Sequence, residues 1–340
     1  MPFHYTLHAC PLVCRVAILL VWTVVAWASL FVSSTWANQP PSLPTLKAAV
    51  LKFGTVSWEL QTLQQQGFDR AAGFQLQQLP LASLMATQTA LKSGEVDVIV
   101  ADWLWVARQR AEGDPLQFIP FSSSVGKLMV ATDAPLQGIG DLVGKRIGIA
   151  GGPLSKGWLL LQAVALRQGL DLKRSAELQF GAPPLLNAAL KQGQLDAVVT
   201  FWHYAARLEA EGFRVLADLN QLSLTLGLPA NLPLLGYVFR QAWAEQHPEL
   251  VAGLQRAAAA TRNYLAEGDD GWQALRLAMR AESDVVFERL RAGYLAGTPQ
   301  PIDAVQIRAA ATLFRLLAEL GGPALVGRAT ALDPELFWRP

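Results

Sequence analysis

Residues 91–113 read LKSGEVDVIVADWLWVARQRAEG, and residues 190–212 read LKQGQLDAVVTFWHYAARLEAEG. The two stretches align without a gap at an offset of 99 residues, with 11 of 23 positions identical. In each, a helix ends in Leu-Lys and a glycine, Gly94 or Gly193, is expected to stop it in the left-handed conformation. An aspartate follows, Asp97 or Asp196, then a short apolar run at 98–100 or 197–199. Such a run reads as a strand covered on both faces, as in a parallel sheet. An aromatic cluster comes next, Trp103-Leu104-Trp105 or Trp202-His203-Tyr204, where strand gives way to helix. Open α/β sheets take ligands outside the carboxyl ends of their strands. Both clusters are therefore expected at a crevice. Asp97 and Asp196 recur in both copies, which predicts a structural turn hydrogen bond for each.

The repeat extends beyond these stretches. Before the first copy, strands are predicted at 47–54 and 74–79, with helices ending near Gln66 and Lys92. Before the second, a strand is predicted at 147–150, with a helix from Ser155 or Lys156 to Gln168. Trp58 up to Gly67-Phe68-Asp69 matches Trp158 up to Gly169-Leu170-Asp171. The period, about 100 residues, is too long for a solenoid and fits two similar α/β halves. Strands at 116–121 and 213–217 follow the copies. The chain then turns helical, with apolar residues at three- and four-residue spacing over 247–266, 271–280, 283–296 and 303–320, and Gly321-Gly322-Pro323 is expected to end the last helix. Crossings between the halves are expected at 122–131 and 235–240. They make lobe 1 discontinuous, 46–125 plus 236–340, with lobe 2, 126–235, inserted in it. Such a pair closes on a ligand by hinge motion.

The 340 residues are 52% hydrophobic and 16% charged, so a large core is expected. Arg15 is the one charged side chain before residue 38. Val16 to Val32 is almost wholly apolar, and Thr35-Trp36-Ala37 places small residues at the −3 and −1 positions of a cleavage site. Residues 1–37 thus read as a cleaved signal peptide, with an uncleaved membrane anchor as the alternative. Residues 38–45 read as a Pro-rich linker. Both cysteines, Cys10 and Cys14, fall in the leader. The mature chain is then without thiol nucleophiles, disulfides or cysteine metal sites. Its 27 basic residues match 27 acidic ones, with no basic stripe for nucleic acid.

Several segments together resemble the substrate-binding proteins of ABC importers of the nitrate, sulfonate and taurine type, with the related thiamine-pyrimidine-precursor binders. They are the first strand ending in Gly54-Thr55, the LxxGxxD entry at 91–97, DLVGKRIGI at 141–149, the helix opening after Gly151-Gly152-Pro153, and LKQGQLDAVVTFW at 190–202. The resemblance implies an α/β, two-lobed type II periplasmic binding protein fold. Each lobe would be a Rossmann-like open sheet flanked by helices, with a hinge of two crossing strands and a helical C-terminal region. It implies a monomeric periplasmic receptor that takes a small organic ligand to an ABC permease and ATPase, meets the membrane only through the permease, and uses no cofactor or metal. The density of tryptophans near strand ends departs from binders of small inorganic anions. It points to a sulfonate- or carboxylate-bearing ligand with an apolar or planar body. Two alternatives remain: a periplasmic accessory protein that binds a cofactor or partner protein, and an enzyme on the same fold of the thiamine-pyrimidine or menaquinone pathway type.

Candidate ligand-binding residues follow from position. Ser155 and Lys156 flank a helix start, where backbone N–H groups suit an oxyanion. Ser57 and Trp58 follow the first strand. Asp102 and Trp103 end the first copy's strand, with an N-cap as the alternative role for Asp102. Trp202 and His203 stand at the matching place in the second copy. Aromatic faces there can sandwich a planar group or a cation; packing in the core is their alternative. Trp105 and Trp158 are expected behind the crevice. Ser122 and Ser123 sit at the first crossing, where hydroxyls can bond an oxyanion or serve only as linker.

Overall fold

Two sheets of identical strand plan carry the molecule. The computed structural model describes residues 1, 3, 43–52 and 54–339. The apolar leader at 16–32, the cleavage site at 35–37, both cysteines and the linker up to residue 42 lie outside these.

The chain starts with β1 (Thr45–Leu51), α1 (Val56–Gln65), α2 (Phe68–Ala71), β2 (Gln75–Leu81), α3 (Leu84–Ser93), β3 (Val98–Asp102), α4 (Trp103–Ala111) and β4 (Leu116–Ser122). It then passes to β5 (Gly126–Val130), β6 (Arg146–Ala150), α5 (Lys156–Arg167), α6 (Leu172–Ser175), β7 (Glu177–Gly181), α7 (Pro183–Lys191), β8 (Ala197–Phe201), α8 (Trp202–Ala210) and β9 (Arg214–Asp218). After α9 (Leu219–Thr225) comes β10 (Leu235–Arg240). The rest is helical: α10 (Gln241–Gln246), α11 (Pro248–Glu267), α12 (Asp270–Met279), α13 (Asp284–Ala296) and α14 (Ala304–Val326).

The first sheet has the order β2-β1-β3-β10-β4 and the second β7-β6-β8-β5-β9. In each, the fourth strand runs antiparallel to both neighbours while the first three are parallel. β10 therefore returns to the first sheet after the chain has built the second. β5 is the reciprocal strand. The two expected crossings belong to this exchange.

The glycine stops and the aspartates of the repeated stretch behave as their pattern predicts. Gly94 and Gly193 adopt φ of 79° and 68°, the left-handed region that ends α3 and α7. Asp97 Oδ2 accepts the Lys47 N–H at 2.8 Å, and the Asp97 N–H donates back to the Lys47 carbonyl at 2.9 Å. Asp196 makes the same pair with Arg146, also at 2.8 and 2.9 Å. Each aspartate thereby locks the entry of one central strand to the start of its neighbour.

The differences from the sequence reading include an edge strand and the end of the last helix. β7 was not expected, because its residues ELQFG form a largely exposed edge strand with no apolar run to signal it. The last helix continues to Val326 across Gly322, whose φ of 58° and ψ of −160° break the helical path. Gly321-Gly322-Pro323 is therefore a kink with one more turn beyond it.

α14 buries Ile307, Ala310, Leu313, Phe314 and Leu317 at helical spacing. It packs against α4, beside the first sheet, and α5, beside the second. On the other side of the first sheet, Glu59 of α1 is fully buried. Its carboxylate accepts hydrogen bonds from the Tyr237 hydroxyl at 2.7 Å and the Tyr294 hydroxyl at 2.6 Å. It also accepts from Arg262 Nε at 3.0 Å and Nη2 at 3.2 Å. One charge thus joins α1, β10, α11 and α13. Burial, and then the Glu59 charge, push both tyrosine hydroxyls well above their ordinary pKa.

Candidate ligand-binding site

The carboxyl ends of β1, β3, β6 and β8 and the starts of α1, α4, α5 and α8 open on one cleft of about 650 Å3. That volume lies within the range of small-molecule sites. Its walls are mainly apolar: Leu51, Leu84, Leu104, Leu154, Phe201 and Leu325 are among them. Polar groups gather at a few places.

Asp102 is the last residue of β3 and nearly buried. Its Oδ1 accepts the Trp105 N–H at 3.0 Å, capping α4. Its Oδ2 lies 2.6 Å from Lys156 Nζ, at the first turn of α5. This ion pair links the first sheet's strand end to the second sheet's helix start. Ser155 precedes α5 in extended conformation, following a turn in which Gly151 and Gly152 take φ of 83° and 89°. The Ser155 side chain does not cap the helix. Ser155 Oγ, Thr200 Oγ1 and His203 Nδ1 are buried, line the cleft and have no hydrogen-bond partner. Buried polar atoms are normally satisfied, and these three orphans all lie around one cleft.

His203 lies against Phe201, Trp202 and Tyr204, with ring centroids at 6.3, 5.5 and 4.5 Å. Burial, helped by the nearby Arg207 charge, lowers its pKa from 6.5 to about 3. The imidazole is therefore neutral at physiological pH. The folded protein resists a proton that the unfolded chain accepts, so this stability is present above pH 6.5 and is lost as pH falls toward 3. Between pH 6.5 and 5 the melting temperature should fall, and His203→Phe should flatten that slope in thermal melts. Equal slopes in the two proteins would refute the assignment.

Of the residues expected at the ligand, Asp102, Ser155, Lys156, Trp202 and His203 line the cleft. The others do not. Trp103 is fully buried in the core, where its Nε1–H donates to the Pro233 carbonyl at 2.9 Å. Trp58 is buried behind Trp202, edge to face at 6.0 Å. Ser57 donates to the Gly54 carbonyl at 2.6 Å, closing the turn before α1. Ser123 donates to the Gly297 carbonyl at 3.3 Å and is buried, while Ser122 Oγ accepts the Ser124 N–H at 3.1 Å. These serines fasten the crossing, and it is Ser124 that reaches the lining. Trp158 packs in the core as expected, whereas Trp105 lines the cleft. Thr55, Thr87, Gln88, Arg108 and Thr200 also line it and were not anticipated. Thr200, the one polar residue inside the run AVVTF, was the available signal.

The sequence model of the NMT1/THI5-like family matches residues 60–270, more than half of the chain. The chain belongs to the NMT1/THI5-like family. Among solved structures, this family member is similar to the alkanesulfonate-binding protein SsuA from Xanthomonas axonopodis pv. citri bound to MOPS. The TM-score is 0.66 and the identity 21%, over 88% of this chain and 100% of that one. The periplasmic aliphatic sulphonate-binding protein SsuA from Escherichia coli gives a TM-score of 0.67 at 21% identity, over 88% and 93%. The desulfurization enzyme DSZB gives 0.58 at 17%, over 86% and 97%. No curated relative matches the chain by sequence. Family and two-lobed fold agree with the resemblance read from the sequence; at these identities the solved structures speak for the fold.

Proposed function

We propose that this NMT1/THI5-like protein is a periplasmic solute-binding receptor that closes on a small organic ligand and delivers it to the permease and ATPase of an ABC importer. The observation that carries the reading is the cleft: a large apolar chamber with three orphaned polar atoms on its lining. An apolar or planar body fits the walls. A hydrogen-bonding head, of which a sulfonate or carboxylate is one kind, fits Ser155, Thr200 and His203. The named roles of the SsuA proteins support the same reading. The lobes would be 46–125 plus 236–340 and 126–235, following a cleaved 1–37 leader, and the receptor would act as a monomer.

A thermal-shift screen tests this, with aryl and alkyl sulfonates, carboxylates, amino-sulfonates and uncharged amides, reading tryptophan emission alongside. A ligand at a hundred times its dissociation constant should stabilise the protein by about 2.7 kcal/mol. A hit should also perturb emission, because Trp105 and Trp202 line the cleft. A panel without any shift would refute the reading.

A further inference from the structure

The charges on the cleft lining are already balanced. Besides the neutral His203, the charged side chains there are Asp102, Arg108 and Lys156. Arg108 pairs with Glu112 at 3.0 Å. Lys156 pairs with Asp102 at 2.6 Å, and the Asp102 side chain is only 6% exposed. A simple anion that draws on Lys156 must either share its ammonium with Asp102, which sets two like charges on one cation, or pull it away and strand a nearly buried carboxylate, and an uncompensated buried charge is costly. The three orphaned atoms, by contrast, are two hydroxyls and a neutral imidazole nitrogen.

We propose that Asp102 sets the charge class of the ligand: by holding Lys156, it makes the cleft accept a head group of zero net charge and reject a simple anion. An uncharged head bonds Ser155, Thr200 and His203 and leaves the ion pair intact. A zwitterionic head inserts into the pair, its oxyanion toward Lys156 and its cation toward Asp102, so no charge is left unmatched. A sulfonate or carboxylate is then admitted when the ligand brings its own balancing cation. The proposal rests on the receptor reading above.

The test uses matched compounds with one phenylpropyl body ending in a sulfonate, an amino-sulfonate or a carboxamide. Binding is measured by calorimetry on the full chain, its Asp102→Asn variant, and the double variant Asp102→Asn/Lys156→Met. Asparagine keeps a capping oxygen for α4 but releases Lys156. The wild type should bind the amino-sulfonate or the carboxamide at least about tenfold tighter than the sulfonate. Asp102→Asn should gain about tenfold for the sulfonate, and the double variant should lose that gain. The amino-sulfonate and carboxamide arms tell a zwitterionic from an uncharged head. A wild type that prefers the sulfonate, or a preference that Asp102→Asn leaves unchanged, overturns the proposal while leaving the receptor reading standing. Silence of all three compounds on all folded proteins overturns both. If Asp102→Asn does not fold, the wild-type ranking of the three heads decides.

Discussion

Glu59→Ala is expected to lower stability by about 3–5 kcal/mol, the cost of removing one partner from a buried ion pair. The carboxylate it deletes is fully buried and is the common acceptor for Tyr237, Tyr294 and Arg262. Without it, the Arg262 side chain, 16% exposed, keeps its charge with no counter-ion among these partners. Two tyrosine hydroxyls lose their acceptor at the same time. Of the four elements that meet there, α1 and β10 also frame the cleft, since Val56 and Leu235 line it. Urea unfolding measures the loss. The double variant Glu59→Ala/Arg262→Met should recover part of it, because the stranded charge is then gone. A single variant within about 1 kcal/mol of the wild type would show that the network carries no such load.

Trp103→Ala should cost a similar amount, about 3–5 kcal/mol, through a different cause. The indole is fully buried, so its removal leaves a cavity, and the Pro233 carbonyl loses its donor. Ligand affinity of the protein that remains folded should stay within about threefold of the wild type, because Trp103 does not line the cleft. Trp202→Ala is the contrast: its ring lines the cleft, and its loss should weaken binding more than stability. Urea titration and calorimetry at a temperature where the variant is folded separate the two. A large affinity loss in Trp103→Ala with stability unchanged would contradict the core placement.

The pair Trp103 and Trp202 shows where sequence reading stops. They occupy equivalent positions of the repeat, and the repeat identifies both as the residue just past a central strand. What it cannot supply is side-chain direction. Trp103 turns to a loop carbonyl 130 residues away, while Trp202 turns to the cleft. Ser123 is similar: its partner, the Gly297 carbonyl, is 174 residues off, so no local pattern reveals that the hydroxyl is already engaged. Lys156 and Asp102 were each legible as candidates for the site, since one starts a helix and the other ends a strand. Their pairing was not, because it forms only when both sheets face the same space. The strands, the glycine stops and the paired aspartates were legible because their causes are local: β-branched runs, left-handed φ and short-range turn bonds. The edge strand β7 was missed because an exposed edge needs no apolar run.

The matched bonds of Asp97 to Lys47 and Asp196 to Arg146 bear on descent. Both partners sit at the same 99-residue offset, and the distances agree to the first decimal. Copying a gene for a single half and joining it to itself would leave such a mark. The scaffold bonds are alike in the two halves, while the strand-end position differs: Asp102 in one half, Phe201 in the other. The two halves are thus alike in the bonds that build the scaffold and unlike at the strand ends that face the cleft.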